Sequence, residues 1–472
     1  MNQEKINLSY IPDWTFSSII YQIYALGFCD CPAVNPITKP ESTISQIQPV
    51  NRLNKIRHYY SHLTKLGINT VIIGPVFESC THGYDVIDYF QVDRRLGTNQ
   101  LLHEIIDELH QQKIKVILDI TINHTSRLFP AFLDIKNQQK TSPYIDWYQD
   151  INFNQDTVWK DGFSYAYWKN IVELPILNLD QPSVKKYIFN VAQFWLKNYH
   201  IDGWRLDVAY DIPPQFWQEF RQVCKDINPH CLLIGELVEQ DYNQWINPTT
   251  LDTGTNYQLF QHILGAFNQK DFWQLTEIIN YEKHPQSGKY NHILLANFVG
   301  NHDTNRIYNQ IYQPDYLEQI FTFLFTHPGL PCIYYGDEIL LNGEKHPIHD
   351  FHIRQSMPNL NHLTQSQSEF LHHIQKLIKI RHQNPELTTG EITILHTSSS
   401  LLLIGIQTTN NYYLNLLNLD PRELPSTLHI NTTNTWTGNS TFTNLLSPDQ
   451  HFHCHNQQLQ LPKQPTILKL ES

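Results

Sequence analysis

Short apolar runs alternate with amphipathic stretches from about residue 19 to about residue 385. Residues 20–26, 70–76, 115–120, 202–207, 231–236, 293–302 and 331–335 are short and apolar at consecutive positions, the pattern of strands covered on both faces. Between them, Leu102, Ile105, Ile106 and Leu109 recur at helical spacing, as do Val184, Tyr187, Ile188, Val191 and Trp195. Pro182-Ser183 supplies a helix start. The sixth strand has the weakest signature and is expected near 256–259. About eight strand–helix units in alternation predict an α/β fold, a parallel sheet closed into a (β/α)8 TIM barrel.

Two stretches depart from this rhythm. Residues 126–173 are rich in aromatic and polar side chains, and so long an excursion is expected to be a small functional domain over the barrel mouth. From about residue 388 helical periodicity stops, and 393–397, 401–407, 412–417 and 457–461 read as strands between Asn/Thr/Ser/Pro turns. The expected organisation is a barrel over 1–125 and 174–387, an inserted domain over 126–173, and a C-terminal antiparallel β-sandwich over 388–472. The Asn/Thr-rich segment 431–443 resembles low complexity, but with Leu445 its interleaved Trp436 and Phe442 argue for folded hairpin loops.

Composition narrows the class of partner. The 10 Trp, 25 Tyr and 23 Phe provide flat apolar faces of the kind that stack on sugar rings. A net charge of −12 without a dense Lys/Arg block lacks the basic footprint that nucleic acid requires. No run reaches membrane-spanning length and the first residues form no apolar signal core, so a cytoplasmic protein with no membrane partner is expected. Seven mostly well-separated cysteines speak for reduced thiols, and Cys29-x-Cys31 has no second close Cys/His pair to complete a metal site. Oligomeric state is not encoded in any of these features.

The candidate chemistry lies at strand ends. Asp207 follows Gly203-Trp204-Arg205-Leu206, Glu236 follows Leu232-Leu233-Ile234-Gly235, and Asp303 follows Phe298-Val299-Gly300-Asn301-His302. Arg205, two residues before Asp207, points to the same side and is expected to lower the Asp207 pKa and keep it ionised, as a nucleophile must be. Glu236, at the next strand end among other carboxylates, is expected to have a raised pKa and to carry a proton. A nucleophile and an acid/base about 5 Å apart are what a retaining glycosidase uses. Asp303 would grip sugar hydroxyls, with His302 and His124 as further donors. One acid at one strand end is commonly a helix cap or ion-pair partner. With Asp119-Ile120-Thr121-Ile122-Asn123-His124 included, however, four strand ends carry such groups.

The ordered set Asp119-x-x-x-Asn123-His124, Gly203-Trp204-Arg205-Leu206-Asp207, Gly235-Glu236 and Asn301-His302-Asp303 resembles the signature regions of the α-amylase family of glycoside hydrolases. Gly74-Pro75-Val76-Phe77, His82-Gly83-Tyr84-Asp85, Gly329-Leu330-Pro331 and Tyr335-Gly336-Asp337-Glu338 extend the resemblance. It implies Asp207 as nucleophile, Glu236 as general acid/base and Asp303 as transition-state stabiliser. Arg205, His124, His302, His82 and a stacking Tyr84 would line the cleaved sugar's subsite, and Asn123 would bind calcium or orient the nucleophile. Leu174-Pro175-Ile176-Leu177-Asn178 and Trp204-Arg205-Leu206-Asp207-Val208-Ala209 are most similar to the neopullulanase and cyclomaltodextrinase branch, without room for its N-terminal β domain. Tyr210-Asp211 replaces the Lys-His of many calcium-binding members, so no cofactor is expected and calcium is unsupported. Resemblance to exo-acting members implies that Arg354, in Asp350-x-x-x-Arg354, pairs with Asp85 and closes the non-reducing end of the cleft. The implied activity is retaining hydrolysis of α-1,4-glucosidic bonds in maltooligosaccharides, cyclodextrins and α-glucans. The same residues would serve a 4-α-glucanotransferase, and an inactive glycan-binding protein would be expected to have lost one of the carboxylates.

Overall fold

The computed structural model describes residues 8–36, 48–347, 349–422, 424–430, 439–462 and 464–471. Eight parallel strands close into a barrel in chain order. They are β1 (Ile20–Tyr24), β2 (Thr70–Gly74), β3 (Lys115–Thr121), β4 (Gly203–Asp207), β5 (Leu232–Gly235), β6 (Thr253–Thr255), β7 (Leu295–Phe298) and β8 (Leu330–Tyr334). Tyr21 lies in register with Val71 on one side and Ile333 on the other, which closes the ring.

The apolar runs are continuous where a strand serves two cores. Ile20, Ile72, Ile117, Leu232, Ile234, Ala296, Phe298 and Leu330 fill the barrel interior. Their neighbours Tyr21, Ile23, Val71, Ile73, Val116, Leu118, Leu233 and Ile333 belong to a separate outer core with the helices. Helix Asn99–Gln111 buries Leu102, Ile105, Ile106 and Leu109, and helix Pro182–Tyr199 buries Val184, Ile188, Val191 and Trp195; Tyr187 is only partly buried.

The sixth strand corrects the sequence reading. It is Thr253-Gly254-Thr255, and 256–259 begins a helix, Tyr257–Gln269, whose cap Asn256 accepts a hydrogen bond from Leu259 N. A Cβ on Gly254 would stand 2.6 Å from a Leu237 methyl, so the strand sacrifices apolar side chains to neighbours that already fill the space. The seventh strand is also shorter than its apolar run: pairing stops at Phe298, and Asp303 lies beyond it on a loop.

An antiparallel pair, Phe77–Ser79 with Val86–Val92, projects from the β2–β3 connection and was not anticipated. His82, Tyr84 and Asp85 occupy its turn. Buried Arg95 pins that turn through Asp93 (2.7 Å), Ser79 Oγ (2.8 Å) and Thr81 O (2.6 Å). After β3 the chain leaves the barrel, forms helix Pro130–Gln138 and packs Phe132 against Tyr148, Phe163 and Tyr165. It returns beside its own start, where Leu177 N donates to Asn123 O at 2.9 Å.

The C-terminal segment is an eight-stranded antiparallel sheet. Along Leu401–Gln407, Leu402, Ile404 and Ile406 join the core around the barrel, while Leu401 and Leu403 face a second core with Leu414, Leu416, Phe442 and Leu459. Helix Leu317–Thr326 is tied to it by a reciprocal pair between Gln319 and Asn418. Residues 431–438, with Trp436, lie outside the described residues; Phe442 is buried in strand Asn439–Asn444. Among the described residues no helix is long and apolar enough to cross a membrane.

Candidate active site

At the C-terminal ends of the strands one guanidinium organises three carboxylates. Arg205, buried on β4, bonds Asp119 Oδ1 of β3 at 2.9 Å and Asp207 Oδ1 at 2.6 Å through Nη1, and lies 3.2 Å from Glu236 Oε2 through Nη2. Register explains the convergence: Asp119 pairs with Arg205 across β3–β4, and Leu206 pairs with Gly235 across β4–β5, placing Glu236 next around the rim. Directly after Asp207 the backbone turns left-handed at Val208 (φ 50°), which is unfavourable for a β-branched residue. That turn aims Val208 N–H at Glu236 Oε2, 2.9 Å away.

Burial dominates the protonation states. Glu236 is pushed up to about 7 by desolvation, with Arg205 opposing and the Asp207 and Asp303 charges adding to the rise. Asp207 corrects the sequence reading: its pKa is raised to about 6, because burial outweighs the Arg205 guanidinium and the Asp119 and Asp303 charges act in the same direction as burial. One cation shared among three carboxylates cannot hold each of them ionised.

Asp303 is the opposite case. Burial alone would raise its pKa, but the His302 ring beside it, itself kept neutral by burial, and the Arg354, Arg205 and Lys345 cations together hold it well below the usual carboxylate range. Arg354 Nη2 donates to Asp303 Oδ1 at 2.7 Å, Arg354 Nε to His302 O at 2.8 Å, and His302 Nε2 stands 3.1 Å from Asp303 Oδ2. The expected Arg354–Asp85 pair is not formed. Arg354 instead bonds Asp303 and Asp350 (3.1 Å), with its guanidinium 4.8 Å from the Tyr24 ring centre, and Asp85 caps its own turn by accepting from Thr81 N and Oγ1. The barrel order explains this: β1, which carries Tyr24, lies between the β2 and β8 loops.

The other expected residues converge. Tyr84 hydroxyl bonds Asp119 Oδ2 (2.9 Å) and His302 Nε2 (2.6 Å), and its ring lies 5.5 Å from His302. His82 Nδ1 accepts from Tyr84 N at 3.3 Å. His124, kept neutral by burial with its pKa lowered to about 3, stacks on Trp168 at 5.2 Å. Its buried Nε2 has no protein partner among the described residues. Asn123 Nδ2 lies 3.4 Å from His124 Nδ1. Asp207, Glu236, Asp303, Tyr84, His82, His124 and Arg354 line a cleft of about 1020 Å³, with Arg205 behind them.

Sequence reasoning missed part of this wall. Tyr257 reaches Glu236 Oε1 (3.4 Å) and accepts from Asn301 Nδ2 (2.7 Å); its signal was an aromatic directly after the weakest strand. Trp168 and Lys169 come from the aromatic-rich excursion, and Lys345 from the β8 loop. Arg354→Ala is expected to lower kcat at least tenfold on every substrate of this cleft, because Asp303 loses its nearest cation and its pKa rises. Steady-state rates on short and long substrates check this; a loss confined to short substrates would contradict it.

An alpha-amylase catalytic-domain profile matches residues 50–360. The chain is 33% identical over 400 residues to a maltogenic alpha-amylase of Bacillus acidopullulyticus, covering 81% of this chain and 66% of that one. It is 31% identical over 402 residues to a cyclomaltodextrinase of a Bacillus species, covering 81% and 69%. It therefore spans about two thirds of the length of these relatives. A debranching enzyme of Nostoc punctiforme superposes with a TM-score of 0.78 at 28% identity, covering 98% of this chain and 99% of that structure. With its matched residues carrying the barrel from β2 to β8 and the strand-end acids on it, the chain belongs to the alpha-amylase family.

Proposed function

We propose that the protein is a retaining glycoside hydrolase of α-1,4-glucosidic bonds in maltooligosaccharides, cyclodextrins and α-glucans. The observation that carries the reading is the pairing of Asp207 and Glu236 on one guanidinium at adjacent strand ends, with Glu236 the more easily protonated. Glu236 gives its proton to the glycosidic oxygen as the bond to the anomeric carbon breaks, and Asp207 forms the new bond to that carbon. Glu236, now a carboxylate, takes a proton from water; the hydroxyl adds to the anomeric carbon and Asp207 leaves. Asp303, held ionised, accepts hydrogen bonds from sugar hydroxyls as positive charge develops. His124 Nε2 contributes a donor, His302 holds Asp303 and the Tyr84 hydroxyl in place, and Tyr84 lines the cleft beside them. The scheme needs no cofactor, because carboxylates handle each proton and the bond to carbon. The names of the maltogenic amylase and cyclomaltodextrinase relatives support this substrate class. Seven free thiols support a reducing, cytoplasmic setting.

The nucleophile must be ionised and the acid protonated, so kcat/KM is expected to be bell-shaped, with an acid limb near 6 and a basic limb near 7. A profile flat from pH 5 to 8 would contradict the assignment. The deciding experiment is a product panel over maltotriose, β-cyclodextrin, pullulan and starch, with NMR of the first-formed anomer. Shorter products of α configuration support the reading. β-Anomers refute retention, oligosaccharides longer than the substrate indicate glucan transfer, and no turnover leaves a glycan-binding protein.

A further inference from the structure

The cleft wall on the Glu236 side is closed by a strap that the mechanism above does not use. Trp168-Lys169-Asn170, from the end of the excursion, forms a single 3₁₀ turn in which Lys169 (φ 45°, ψ 40°) and Asn170 (φ 64°) both take left-handed backbone. Two successive non-glycine residues in that region are costly and persist only where their surroundings fix them. Here two bonds to the loop after β4 fix them. Trp168 Nε1 donates to Asp211 Oδ2 at 2.9 Å, and Lys169 Nζ donates to Tyr210 OH at 3.0 Å. The ammonium also lies 4.7 Å from the Trp168 ring centre and 5.7 Å from that of Tyr210. The turn thus holds an exposed lysine in one position on the cleft wall.

That position has a chemical meaning. In the mechanism proposed above the sugar to be attacked lies against His302, Asp303, Tyr84 and Arg354, which are bonded to one another. Val208, Tyr210, Lys169 and Val238 line the cleft with Glu236, the residue that protonates the departing oxygen. The Glu236 charge is felt at both Lys169 and Tyr210. An ammonium has three N–H donors, and Tyr210 takes one. The others are available to ligand hydroxyls beside the departing oxygen.

We propose that Lys169, held in place by Tyr210, is a specificity-determining residue that hydrogen-bonds the hydroxyls of the leaving sugar. This rests on the hydrolase reading given above. A leaving group without hydroxyls gains nothing from Lys169, whereas a glucosyl leaving group gains one or two charge-assisted hydrogen bonds as it separates.

The test compares maltotriose with 4-nitrophenyl α-maltoside, read by nitrophenol release, in wild type, Lys169→Ala, Lys169→Arg and Tyr210→Phe. Lys169→Ala is expected to lower kcat/KM on maltotriose by roughly ten- to hundredfold and on the aryl maltoside by less than about threefold. Tyr210→Phe should shift the ratio in the same direction by a smaller factor, and Lys169→Arg should restore much of it. Equal losses on both substrates would mean that the strap is only structural. No loss on either would mean that Lys169 does not touch the leaving sugar; each result overturns the proposal. If Lys169→Ala does not fold, the Tyr210→Phe ratio decides alone. A wild type that turns over neither substrate would refute the hydrolase reading itself.

Discussion

Asp207→Asn is expected to lower kcat on maltotriose by about four orders of magnitude or more, while its Tm at pH 7 is no lower than that of the wild type. The amide keeps the shape of the side chain and loses the negative charge that makes its oxygen a nucleophile toward the anomeric carbon. Stability should not suffer, because Arg205 keeps Asp119 at 2.9 Å and Glu236 at 3.2 Å. Linkage points the same way. The Asp207 pKa rises from 3.8 to about 6 on folding, so its contribution is fully present below pH 3.8 and lost as pH rises through 6. At pH 7 the native state holds a carboxylate it would rather protonate, and Asn relieves that. Activity within tenfold of wild type, once deamidation has been excluded by mass spectrometry, would remove Asp207 from the nucleophile's role. A Tm several degrees lower would refute the linkage argument.

Glu236→Gln is expected to cost roughly 10²- to 10⁴-fold on maltotriose and far less on α-glucosyl fluoride, whose leaving group needs no proton. The basic limb of the pH profile should disappear on maltotriose, because the group titrating near 7 is gone. Gln can still accept Val208 N–H through its carbonyl oxygen, so the left-handed turn after Asp207 keeps its partner. Breakdown of the glycosyl-enzyme lacks its base, so a burst followed by slow turnover should appear, abolished by added azide as an alternative nucleophile. Equal losses on maltotriose and the fluoride, with the basic limb intact, would show that Glu236 is not the acid.

Much of the architecture was legible because it depends on local periodicity. A strand between barrel interior and outer helices is apolar at successive positions, and β1, β2, β3, β5, β7 and β8 announce themselves in that way, whereas β4 alternates Trp204 and Leu206 in the outer core with the paired Arg205 and Asp207. β6 did not, because Gly254 leaves its space to Leu237, a residue from another turn of the chain. The pair Phe77–Ser79 with Val86–Val92 was overlooked because the first strand has only three residues and burial along the second does not alternate.

The amino-acid sequence by itself determined which strand ends carry acids and imidazoles: Asp119 on β3 with Asn123 and His124 after it, Arg205 and Asp207 on β4, Glu236 after β5, and His302 and Asp303 beyond β7. Those placements follow from spacing along one strand and from the order of strands around a closed barrel. Only the tertiary structure decided how the groups behave. Arg354 chose Asp303 and Asp350 over Asp85 because β1 separates the two loops. Asp207 rose to about 6 although Arg205 is two residues away, because burial and the carboxylates brought by β3 and the β7 loop outweigh one near neighbour. Tyr257, Trp168 and Lys169 entered the site from segments whose sequence shows only that they are aromatic or polar. Strand pattern is a property of consecutive residues, whereas electrostatic energy and solvent exclusion are sums over everything nearby in space, most of it distant in the chain.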